Sequence, residues 1–179
     1  MKINPETTLR ELAFLVCTAL DQEGYIAVLT GGSAATIYAP DAYQSSDLDF
    51  VFTFWSSLGG VSEQALLALG FTRAGDFYKH PSSAYTLDFP RGPLAVGSQM
   101  IDDWLTMTDG DRVLYILTPT DSVRDRLCAY YFYNDFSGLE QALAVASRQT
   151  IDIEVVRNWS QREGELAKFT NFEARLRGR

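Results

Sequence analysis

The chain has 179 residues, a formal net charge of −8 and 46% hydrophobic residues. That is enough for one globular domain with a real core. The acidic balance excludes a broad basic nucleic-acid surface, and no apolar run approaches the roughly 20 residues of a membrane-spanning helix. The acid is unevenly spread: residues 148–179 hold seven basic and five acidic side chains, so the excess lies in the first 147. Two cysteines, Cys17 and Cys128, and the single His80 leave no room for a zinc cluster or a disulfide framework. The opening MKINPETTLRELAF lacks the charged-then-apolar pattern of a signal peptide, so the expectation is a cytoplasmic chain.

In chain order, apolar residues at helical spacing predict a helix over residues 8–20. Residues 25–30 read as a buried strand, broken by Gly31-Gly32. Ser33 is placed to cap the helix that follows. Residues 47–54 alternate as a second strand. Ser62 reads as the cap of a short helix that Gly70 stops. Residues 71–78 and 84–89 read as two strands with a turn between them, and 112–117 as a fifth. From Thr118 the pattern turns helical: a Thr cap, Pro119 in the first turn, a second capping box over residues 137–140, then helical segments near 151–161 and 165–176. The expected fold class is α/β (α+β), a mixed sheet flanked by helices with a helical C-terminal segment. The expected division is a core over residues 1–117 and a helical region over 118–179 packed on it.

The chemistry concentrates in LTGGSAATIYAPDAYQSSDLDFVF, residues 29–52. Asp47 and Asp49 lie two apart on a strand, so both leave the same face. Two carboxylates side by side repel unless a cation lies between them or one keeps a proton. Mg2+ suits such hard oxygen ligands, with substrate phosphates completing its shell. Asp88, in YTLDFP, is an acid out of pattern between apolar neighbours and the best candidate for a third ligand. Gly31, Gly32 and Ser33, between a strand and a helix, let backbone N–H groups approach an anion at the positive end of the helix dipole. Each signal is weak alone. Their order and spacing together are far more specific.

This combination resembles the nucleotidyltransferase superfamily of the DNA polymerase beta type, and over residues 29–52 it is similar to the AbiEii group of type IV toxin–antitoxin systems. The resemblance implies an NTP substrate and one or two Mg2+ ions. It places Gly31, Gly32 and Ser33 on the triphosphate, and Asp47 and Asp49 on metal, with Asp88 a further ligand or the base that activates an acceptor hydroxyl. The acceptor it implies is tRNA or protein, with an antitoxin protein as partner. The AbiEii group also carries a basic residue, usually Lys, on a later helix, with an Asp about a dozen residues on. Here Arg124 and Asp135 stand eleven apart with no Lys between, and on one continuous helix they would share a face. Arg124 or Arg126 would then reach the triphosphate. The other reading of Arg124 is a surface ion pair with Asp121 or Asp125. The missing Lys leaves open a non-catalytic module that keeps the fold and binds a nucleotide or a protein. In YYFYNDF, residues 130–136, most aromatics read as core, with Tyr133 or Asn134 partly exposed.

Overall fold

The computed structural model describes residues 2–53 and 63–178. Helix α1 (Leu9–Gln22) opens with the capping box of Thr8 and Glu11, each side chain accepting the other's backbone N–H, and buries Leu12, Val16 and Leu20. Strand β1 (Ala27–Thr30), buried throughout, runs straight into α2 (Gly31–Tyr38). Strand β2 (Asp47–Phe52) alternates as period-2 packing requires: Leu48, Phe50 and Phe52 are buried and the residues between them are half-buried. The strand predicted over 47–54 thus ends at Phe52, and residue 54 lies outside the described residues, as does the predicted cap Ser62. Helix α3 (Glu63–Ala68) stops at Gly70, whose φ of +91° is the left-handed conformation of a helix end.

The predicted strand over 71–78 is instead a hairpin of β3 (Thr72–Ala74) and β4 (Phe77–Lys79). Ala74 pairs with Phe77 around the two-residue turn Gly75-Asp76. Strand β5 (Thr86–Asp88) follows, then a small hairpin, β6 (Ala95–Val96) and β7 (Gln99–Met100). Strands β8 (Leu105–Asp109) and β9 (Arg112–Ile116) form a last hairpin. The main sheet has seven strands in the order β3-β4-β5-β2-β1-β9-β8, with β1 antiparallel to β2 and parallel to β9, and β2 parallel to β5.

Four helices complete the described chain: α4 (Pro119–Tyr133), α5 (Phe136–Arg148), α6 (Ile153–Arg162) and α7 (Leu166–Arg177). Thr118 caps α4 as its sequence predicts. The helix ends at Asn134, whose φ of 53° is left-handed, and Asp135 caps α5 by accepting from Ser137 N. The chain therefore breaks between Arg124 and Asp135, and the cap of α5 lies two residues before the predicted box. Only Tyr130 and Tyr131 of the 130–136 aromatics are core; Phe132, Tyr133 and Phe136 are exposed. Among the described residues no helix is long and apolar enough to cross a membrane.

Candidate active site

Strand β1 delivers the chain to the turn at Gly31. Its φ is +66°, a region that L side chains seldom adopt. A Cβ there would also lie 2.2 Å from Asp49 Oδ2. Glycine is thus required twice, by backbone conformation and by the carboxylate against its Cα. Gly32 lies under the Tyr43 ring, where a Cβ would come to 3.1 Å of Cε1. Helix α2 begins at Gly31, three residues earlier than a Ser33 cap implies. Ser33 is fully buried; its hydroxyl donates to Thr30 O at 2.8 Å and accepts from Asp49 N at 3.3 Å. It fastens β1, α2 and β2 together, with its proton committed inside the fold.

Register sets the acids. Asp47 and Asp49 share a face of β2, and Asp49 stands directly opposite Asp88 on β5, so the out-of-pattern acid is drawn beside the pair. Asp47 Oδ1 accepts from Ser45 Oγ at 2.8 Å, and Ser45 N donates to Thr36 Oγ1 on α2, which anchors the approach to β2. Asp88 Oδ1 accepts from the neighbouring Phe89 N at 2.8 Å. Asp49 has the most unfavourable setting. Burial pushes its carboxyl pKa up to about 6; the charges of Asp47, Asp88 and Asp125 push the same way, and Arg126 opposes them.

Helix α4 contributes a pair, Arg126 and Asp125. Arg126 donates to Asp125 Oδ2 from Nε at 3.0 Å and from Nη2 at 2.7 Å, and that same oxygen accepts from Gly31 N at 3.2 Å. Burial works against the Arg126 charge, but Asp125 beside it, with Asp49 and Tyr43 near, holds its pKa above the ordinary value. Gln141 on α5 accepts from Arg126 Nη1 at 3.5 Å. Helix α5 comes this close because of Gly138, where a Cβ would lie 2.7 Å from Arg126 O.

Arg124 and Asp135 are placed elsewhere. Arg124 is 3% exposed, paired with Asp121 at 2.6 Å, donating to Gln99 Oε1 at 2.7 Å, and stacked 5.1 Å over the buried Trp159 ring. This is the ion-pair reading, moved from the surface to the interior. Asp135 is spent on the α5 cap. Tyr43 and Gln141 were not foreseen, and no local motif marks them; Asp125 was expected only as an ion-pair partner of Arg124 and pairs with Arg126 instead.

For a divalent cation the donors fit in kind: all are carboxylate oxygens, and Asp49 gains most from a positive neighbour. They do not form a finished cage, since among the described residues no three His, Cys, Asp or Glu converge closely enough to hold an ion. The arrangement fits an ion that brings part of its own oxygen shell. The turn amide and Arg126 alongside offer two anion-binding groups next to that acid row.

No family model matches the sequence, and no curated protein matches it. Among solved structures the chain is similar to an antigenic nucleotidyltransferase-like protein from Paracoccidioides brasiliensis, with 12% identity and a TM-score of 0.62 over 93% of this chain and 94% of that one. A weaker likeness, at 14% identity and a TM-score of 0.46 over 92% of each chain, is to the antibiotic-resistance factor ANT(2'')-Ia. The mixed sheet and its helices thus have the nucleotidyltransferase-like fold.

Proposed function

We propose that this chain is a Mg2+-dependent nucleotidyltransferase that moves a nucleotide unit from an NTP to a hydroxyl acceptor. One observation carries the reading: the in-register pair Asp49 and Asp88 stands beside a glycine turn that also faces Arg126. In this reading residues 1–117 are the catalytic core and residues 118–179 a helical region packed on it that lends Arg126. The Gly31 and Gly32 amides and the Arg126 guanidinium hold the triphosphate, while Ser33 supports the turn from within. Asp47, Asp49 and Asp88 would lend carboxylate oxygens to a metal that keeps part of its own oxygen shell, and which when bound supplies charge neutralisation at the transferred phosphorus. Asp88 serves as a further ligand or as the base that takes the acceptor hydroxyl's proton. The AbiEii resemblance extends the proposal to a toxin acting on tRNA or protein and neutralised by an antitoxin.

The test is incubation of the purified chain with each labelled NTP, Mg2+ and a cell extract. Label should pass to an acceptor with the wild-type chain and not with Asp49→Asn; no transfer with any NTP defeats the reading. A second reading, a nucleotide- or protein-binding module without turnover, is favoured by the Asp125 carboxylate already seated on the Gly31 amide. Metal-dependent NTP binding without transfer to any acceptor distinguishes it.

A further inference from the structure

The Gly31 amide, given above to a phosphate, is already engaged. Asp125 Oδ2 accepts from it at 3.2 Å, and the same oxygen accepts from Arg126 at 3.0 and 2.7 Å. One anionic oxygen therefore takes up the backbone donor and the guanidinium that a phosphate oxygen would use. Asp125 does this in costly company, because it adds a fourth negative charge near Asp47, Asp49 and Asp88 and is felt as such at Asp49. Arg126 has a second hold on Gln141, so it need not leave the site when Asp125 does.

Charge decides which anion can take Asp125's place. A bare polyphosphate would enter against four carboxylates and displace only one. A polyphosphate complexed to a divalent cation brings the positive charge that the other three need. We propose that Asp125 is a specificity-determining residue, a built-in competitor on the phosphate cradle that yields to metal-complexed polyphosphate and shuts out bare phosphates. The inference rests on the nucleotidyl-transfer reading of this site and deepens it.

The probe is inorganic pyrophosphate, titrated calorimetrically into the full chain with Mg2+ or with EDTA. Wild type should bind the Mg2+ complex and bind metal-free pyrophosphate too weakly to measure. Asp125→Asn, which keeps the shape and an acceptor oxygen, should tighten metal-free binding by about tenfold or more, the scale of one removed like charge. Asp125→Glu, which keeps the charge, should not. If wild type binds the Mg2+ complex but Asp125→Asn gains nothing without metal, this inference falls and the nucleotidyl-transfer reading stands. If wild type binds pyrophosphate under neither condition, both fall. The wild-type chain supplies a second readout that needs no variant. The Gly31 amide resonance should move on adding magnesium pyrophosphate and stay fixed with sodium pyrophosphate. An unmoved Gly31 amide in a chain that binds the complex overturns the proposal.

Discussion

Replacing Asp49 by Asn should stabilise the metal-free protein, although it removes a residue of the proposed active site. Asp49 has a carboxyl pKa of about 6 in the folded chain against an ordinary value of 3.8. Ionising it therefore costs about 3 kcal/mol more in the folded than in the unfolded chain, as an order-of-magnitude ceiling. The sign with pH follows from proton counts. Below about pH 3.8 the group is protonated in both states and costs nothing. From there to about pH 6 the folded chain keeps a proton that the unfolded chain has released, so stability falls as pH rises. Above that the cost is complete. Asn carries no charge and escapes it. For a chain of this size 1 kcal/mol moves Tm by about 2–4 °C. In EDTA at about pH 7.5, Asp49→Asn should therefore melt up to about 10 °C above wild type, and the gap should close toward pH 4. Adding magnesium pyrophosphate should raise wild type more than the variant, because Asn offers the metal no carboxylate at this position. Thermal unfolding by circular dichroism reads all of this. A variant that melts below wild type by the same margin at both pH values refutes the reasoning, since the carboxylate would then be structurally satisfied rather than charge-strained.

The other predictions concern the groups around it. Gly31→Ala should cost more than about 3 kcal/mol, from positive-φ strain and a Cβ placed 2.2 Å from Asp49 Oδ2. Gly32→Ala, which needs the Tyr43 ring to give only slightly at 3.1 Å, should cost clearly less. Equal losses in urea unfolding would contradict the account of the turn. Arg124→Ala should destabilise by about 3–5 kcal/mol by taking the guanidinium from half-buried Asp121 and from the Trp159 ring, yet leave NTP affinity of the folded fraction unchanged. Weaker NTP binding by folded Arg124→Ala would return that residue to the site. Arg126→Gln should weaken binding of the Mg2+–NTP complex about tenfold or more in a fluorescence titration, since it removes the guanidinium facing the turn.

What could be read ahead of the structure was whatever depends on neighbours in the chain. Alternation along 47–52, the glycine pair after a buried run and the cap at Thr118 are local signals, and they held. Asp88 was legible for a related reason. An acid between Leu87 and Phe89 contradicts its own strand unless something uses it, and the register with Asp49 brings it to the acid pair. The β3–β4 hairpin carried its mark in Gly75-Asp76, but a run with aromatics at both ends was read through as one strand. Strand β8 lies largely exposed at the sheet's edge, and its alternation of Leu105 and Met107 with threonines spans only four residues before Asp109, too short a signal to stand out.

Arg124, Asp125 and Arg126 show where local reading stops. All three lie in one helical turn with similar polarity, and nothing in TDSVRDRLC ranks them. Trp159, far along the chain in α6, covers the Arg124 side of α4, and the Gln99 carbonyl oxygen beside it completes an interior ion pair. Gly138 in α5 lets that helix close on the backbone at Arg126, and Gln141 steadies its guanidinium. Asp125 meets an amide 94 residues earlier. Which of two arginines faces the turn is thus decided by helix packing from segments that carry no catalytic residue of their own. The C-terminal half therefore belongs in any account of the site, and substitutions in α5 at Gly138 should act on nucleotide affinity through Arg126, without touching the acid row.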